Sequence, residues 1–176
     1  DLCDPLHPIV FNDLFCLRDP RVQTISVGAA RPSDLDLHLE AVDRLDQADA
    51  LIEPVHARLQ QAAADALGET WLNSWRIGLP RWQDTPGEIN LPVLLWLHNL
   101  LEAWDLESYT RARYRLLGSG GHWFAGANAD AFDERVSITE LDAVLQASPW
   151  RQQIPGILRA LKTRLAGEGQ MRLSSV

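Results

Sequence analysis

Apolar residues recur at helical spacing along almost the whole chain, and one short segment breaks that rhythm. Pro8 suits the first turn of a helix, Ile9, Val10, Leu14 and Leu17 follow at near-helical intervals, and Arg18, Asp19 and Pro20 stop the run. The next segment, 22–27, reads Val-Gln-Thr-Ile-Ser-Val, β-branched and alternating, and with Gly28 behind it predicts a strand. Ser33 or Asp34 then caps a predicted helix that keeps Leu35, Leu39, Val42 and Leu45 on one face and turns Asp36, Glu40 and Asp43 to water.

From Gln47 onward every periodic segment predicts helix. Leu51, Ile52, Val55, Leu59, Ala62, Ala63 and Ala66 mark one that stops at Gly68, and Trp71, Leu72 and Trp75 mark a second. Residues 78–87 are rich in turn formers and predict a loop. Pro92 opens the strongest helix, with Val93, Leu94, Trp96, Leu97, Leu100, Leu101 and Trp104 on a wide apolar face. Another begins at Ser108 or a neighbour, carries Tyr114, Leu116 and Leu117, and ends at the glycine-rich stretch 118–121. The connection to Val136 is long for a compact domain, with His122, Trp123 and Phe124 available to pack it. Ile138, Leu141, Val144 and Leu145 predict one closing helix and Ile157, Leu158, Leu161 and Leu165 another, with frayed residues after Gly167.

A lone strand cannot satisfy its own backbone donors and acceptors. The helix-strand-helix opening therefore implies neighbours that lie outside this chain, unless the strand pairs with a copy in an oligomer or with an unrecognised short strand. The abrupt opening at Asp1, without Met, reads as the start of a fragment. The fold expected is mainly α, with one strand and its flanking helices over 1–46 and an α-helical domain over 47–176.

Charge narrows the partners. At a formal −8 the chain's field repels nucleic acid and anionic membranes, which leaves a small molecule or a protein. No run approaches the roughly 18 to 20 apolar residues that span a bilayer, and no basic segment followed by an apolar core opens the chain. Cys3 and Cys16 have no framework spacing and read as reduced thiols of a cytoplasmic protein.

Few residues carry a recognisable chemistry. His7, His38, His56, His98 and His122 are scattered and predict no metal site. Residues 118–121 lack the Lys of a phosphate loop, and no Gly-x-Ser-x-Gly elbow is present. Arg111, Arg113 and Arg115 alternate and so do not share one helix face; pairing with Glu102, Asp105 or Glu107 is expected of them. The seven tryptophans read as core, with a subset available to an interface. The best binding candidate is 27–34, where small residues lead from the strand into a helix, so that a phosphate can approach backbone N–H groups with Arg31 adding charge. An ordinary strand-to-helix turn is the alternative.

Two parts of the chain resemble a known family. Residues 8–42, with the core Asp-Pro-Arg-Val-Gln-Thr-Ile-Ser-Val-Gly-Ala at 19–29, resemble the end of an aldo/keto reductase barrel, where the last strand leads into a phosphate-binding turn and helix. Residues 88–96, the Gly-Gly-His-Trp-Phe string at 120–124 with its flanks, and 128–130 look like the helical C-terminal extension of a predicted bacterial subfamily. The resemblance implies a (β/α)8 barrel whose C-terminal end is represented by 1–46, NADP or NAD as cofactor, and reduction of a small-molecule aldehyde or ketone by hydride transfer. The family's Asp, Tyr, Lys and His catalytic group has no counterpart here, so the chain alone is expected to be inactive. Gly28, Ala29, Arg31 and Ser33 match the turn facing the adenosine phosphate, and His38 falls where the family commonly has an Asn near the adenine. Asp34 stands where many members have an Arg for the 2′-phosphate, which weighs against NADP. Members with such an extension can hold iron-sulfur clusters, but two distant cysteines cannot supply four thiolates, so no cluster is expected and the helical part is structural or interactive. A homo-oligomer is compatible with this picture. The rival expectation is a non-catalytic helical protein-interaction module.

Overall fold

The computed structural model describes residues 2–120 and 124–167. The packing role expected of His122 and Trp123 and the fraying expected after Gly167 lie outside them. The architecture is mainly α, in two compact units, Asp1–Ala62 and Ala63–Val176.

The first unit contains α1 (Pro8–Leu17), α2 (Ser33–Asp43), a 3-10 turn (Leu45–Gln47) and the beginning of α3 (Ala48–Leu67). Pro8 opens α1 as its fixed φ favours, and the His7 ring accepts a hydrogen bond from the Ile9 amide at 3.2 Å. Leu6, Val10 and Leu14 meet Ala41, Ala48 and Ile52 in a small core. Between α1 and α2 the strand expected over 22–27 is absent, and no strand occurs among the described residues. The β-branched composition is there, but a ladder needs a neighbour to receive its hydrogen bonds. What orders the segment's start is local: Asp19 accepts from the Arg21 amide at 3.0 Å, and the Gln23 side chain donates to the Pro20 carbonyl at 2.8 Å.

Helix α2 also departs from its expected pose. Leu35, Leu39 and Val42 are 51, 63 and 57% exposed, while Ala41 is buried and His38 nearly so. The helix turns the His38–Ala41 side toward α1, because His38 bonds the buried Asp13, and this leaves its apolar stripe outside. Neither Ser33 nor Asp34 caps it: Pro32 holds the cap position without a side-chain bond.

The second unit is built on α5 (Leu91–Trp104), which packs against α6 (Glu107–Tyr114) and α9 (Ile154–Leu165). Asn90 caps α5 by accepting from the Val93 amide at 3.2 Å, Pro92 sits in its first turn, and Asp105 ends it in the left-handed conformation at φ 49°. Its Leu91, Leu94, Leu95, Leu97 and Leu101 are buried. Ile154, Leu158, Leu161 and Leu165 of α9 form one buried stripe, as the 3.6-residue period requires. Arg111 pairs with Glu107 at 2.7 Å, and Arg164 of α9 reaches Glu107 and Asp105, which ties α6 to α9.

Two short helices, α4 (Glu69–Ser74) and α8 (Ile138–Val144), and a single turn, α7 (Phe132–Arg135), complete this unit. Ser137 and Glu140 form a capping box at the start of α8. Buried Phe132 of α7 and Phe124, against the core, pack the described part of the long connection. The tryptophans of this unit among the described residues are Trp71, Trp75, Trp82, Trp96, Trp104 and Trp150. Trp71 is buried, and its indole N–H donates to Asn99 Oδ1 at 2.6 Å. At Gly78, φ is 70°, and a Cβ would lie 2.3 Å from the Ala147 carbonyl carbon and oxygen, so backbone passes where any side chain would stand. No helix among the described residues is long and apolar enough to cross a membrane.

Candidate functional site

In the first unit, an open cleft of about 530 Å³ lies among α1, the irregular segment 25–28 and α2. Ile9, Ile25 and Val27 give it apolar walls, with Asn12, Ser26 and Cys16 as polar or polarisable neighbours. Asp13 and His38 also line it. Asp13 is 2% exposed, and its Oδ2 accepts from His38 Nδ1. Asn12 Nδ2 donates weakly to the other carboxylate oxygen at 3.4 Å. A carboxylate on Nδ1 fixes the ring orientation. Nε2 is buried and has no hydrogen-bond partner among the described residues. An unsatisfied buried polar atom costs about 1–3 kcal/mol, which a complementary group reaching it recovers.

The expected cofactor residues divide here. Gly28 and His38, ten positions apart in the chain, line the same cleft, and a Cβ on Gly28 would meet nothing within 4 Å. Ala29, Arg31 and Ser33 are exposed beside it and do not line it. Asp34 turns back to accept from the amides of Ala30 at 2.8 Å and Arg31 at 2.9 Å, and its other oxygen lies 3.8 Å from Arg31 Nε. These bonds, that from Arg31 first, hold the Asp34 carboxyl below its ordinary range. Two N–H groups of the expected phosphate turn are therefore already occupied by a carboxylate, which leaves the amides of Gly28, Ala29 and Ser33 for any anion.

Asp13 was not legible as a site residue, although a signal existed: it is a lone carboxylate between Val10 and Leu14 on the apolar side of α1. No cluster of three or more His, Cys, Asp or Glu able to hold a metal occurs among the described residues. In the second unit an opening of about 550 Å³ is lined by Trp82, Glu88, Gly118, Gly126, Asn128 and Arg135. No family model matches the chain, no curated protein matches it, and no solved structure matches it.

Proposed function

We propose that the chain is the C-terminal part of a cytoplasmic, NAD(P)-dependent aldo/keto reductase-like oxidoreductase, with 1–46 as the end of a (β/α)8 barrel and 47–176 as a helical extension. The observation that carries this reading is the cleft shared by Gly28 and His38, the two residues that the family resemblance assigns to the phosphate turn and the adenine. Its volume suits part of a nucleotide. The β-branched segment 22–27 supports the same reading, because it has strand composition and no pairing partner among the described residues.

The cofactor, when bound, supplies the hydride that reduces a small aldehyde or ketone. This chain's residues contribute binding alone. His38, held by Asp13, sets its ring against the adenine, Gly28 lets the backbone come close, and the exposed amides of Ala29 and Ser33 take the adenosine phosphate. Asp34 stands where many members of the family have an Arg for the 2′-phosphate, which weighs against a preference for NADP, and the cofactor is NADP or NAD. The residues that transfer protons to the carbonyl belong to strands outside this chain, and no iron-sulfur cluster takes part.

The test is titration of the product of the complete reading frame with NADH and with NADPH, followed by nucleotide fluorescence. NADH binding that weakens about tenfold when His38→Ala is added to an Asp13→Asn background, where no buried carboxylate is stranded, supports the proposal, at about 1.4 kcal/mol for the lost contact. Absence of binding to either nucleotide overturns it. A second reading, a non-catalytic helical interaction module, is favoured by one observation: the stripe Leu35, Leu39 and Val42 on α2 lies open to solvent.

A further inference from the structure

Residues 1–62 hold eleven Asp and Glu against five Arg, and the arginines are largely committed. Arg18 pairs with Glu53 and Asp49, Arg21 with Asp19, Arg31 with Asp34 and Arg44 with Glu40, while Arg58 donates to the carbonyls of Leu2 and Asp4. Asp36, Asp43 and Asp46 are exposed and in no ion pair among the described residues. Successive helical residues step by about 100°, so Leu35, Leu39 and Val42 fall in one narrow row, with Asp36 and Asp43 together along one side of it. Asp46 continues the acidic side beyond the helix end, next to Leu45, itself 38% exposed.

An exposed apolar row edged by unpaired carboxylates has a definite complement. We infer that α2 docks an amphipathic helix of a partner protein, with aliphatic side chains spaced i, i+3 or i+4, i+7 and lysines or arginines flanking them. The apolar row supplies contact, and Asp36, Asp43 and Asp46 select the basic flank and set the orientation. A second copy packed antiparallel about a two-fold axis brings acidic edge against acidic edge, and an anionic lipid surface meets the same repulsion. The inference rests on the interaction reading of the chain, and its test uses no nucleotide, so it stands or falls apart from the reductase proposal.

The probe is a labelled helical peptide of about 14 residues, with leucines at those intervals and lysines elsewhere, titrated into the full chain by fluorescence anisotropy. A matched peptide with glutamates for the lysines is the control. The expected result is binding of the basic peptide alone, weakened about tenfold by Leu39→Asp and several-fold by the pair Asp36→Lys and Asp43→Lys, with the salt dependence reduced in that pair. Circular dichroism unchanged in both variants keeps the comparison free of unfolding, as the exposure of all three positions leads one to expect. Equal binding of the two peptides, binding untouched by Leu39→Asp, or no binding overturns the inference. So does a dimer in sedimentation equilibrium that Leu39→Asp dissociates, or capture on zwitterionic vesicles through the same leucines, since each assigns the row to another occupant.

Discussion

The Asp13–His38 pair makes a quantitative claim about which partner the first unit misses more. Asp13 is 2% exposed, and among the described residues its carboxylate has, apart from His38, only the 3.4 Å contact from Asn12. His38→Leu therefore strands a buried carboxylate, at a cost of about 3–5 kcal/mol. Asp13→Asn leaves an amide oxygen that still accepts from Nδ1, so it costs less than about 1.5 kcal/mol. In the Asp13→Asn background the same His38→Leu change strands a neutral amide instead of a carboxylate and costs about 1–3 kcal/mol. The coupling between the two sites is thus about 2 kcal/mol, or roughly 30-fold in an equilibrium constant. Amide hydrogen exchange reads this residue by residue, because the slowest amides of α1 and α2 report the opening of the unit that contains both. The assay compares four proteins: the parent, each single variant and the double. Equal costs for His38→Leu in the two backgrounds would refute the reasoning, since the penalty would then be lost packing rather than an unpaired carboxylate.

Three further outcomes follow from the second unit. Asn99→Leu leaves the buried indole N–H of Trp71 without an acceptor and lowers stability by about 1–3 kcal/mol in urea unfolding, part of which Trp71→Phe in the same chain restores. Gly78→Ala combines a strained φ with a clash against the Ala147 backbone and costs more than about 3 kcal/mol, seen as a melting temperature lowered by several degrees or as failure to fold. Burial pushes the His98 imidazole below its ordinary value of 6.5, so it contributes stability that is present above that pH and lost as pH falls through the lower folded value. Thermal unfolding between pH 7.5 and pH 5 reads that loss, and His98→Gln flattens the profile.

The sequence was legible wherever structure follows from local periodicity. The stripe on α9 and the opening of α5 at Pro92 needed only the 3.6-residue repeat and the preference of proline for a helix's first turn. The strand over 22–27 failed for a non-local reason, since β-branched residues favour extension but only a second strand makes a ladder. The stripe on α2 was readable, its direction was not: an apolar row turns inward only where a core waits for it, and here the His38–Asp13 bond orients the helix otherwise. Of the candidate site, the sequence supplied Gly28 and His38 but left out Asp13, because a buried carboxylate is recognised by its partner across space rather than by its neighbours in the chain.

The tryptophan distribution has an optical consequence. Every indole lies in residues 63–176, as do both tyrosines, so the first unit absorbs in the near ultraviolet through phenylalanine almost alone. Intrinsic emission excited at long wavelength is therefore blind to α1, α2 and the cleft between them. A denaturation curve recorded that way describes the second unit, and a single tryptophan introduced at exposed Phe15 would give the first unit a signal of its own.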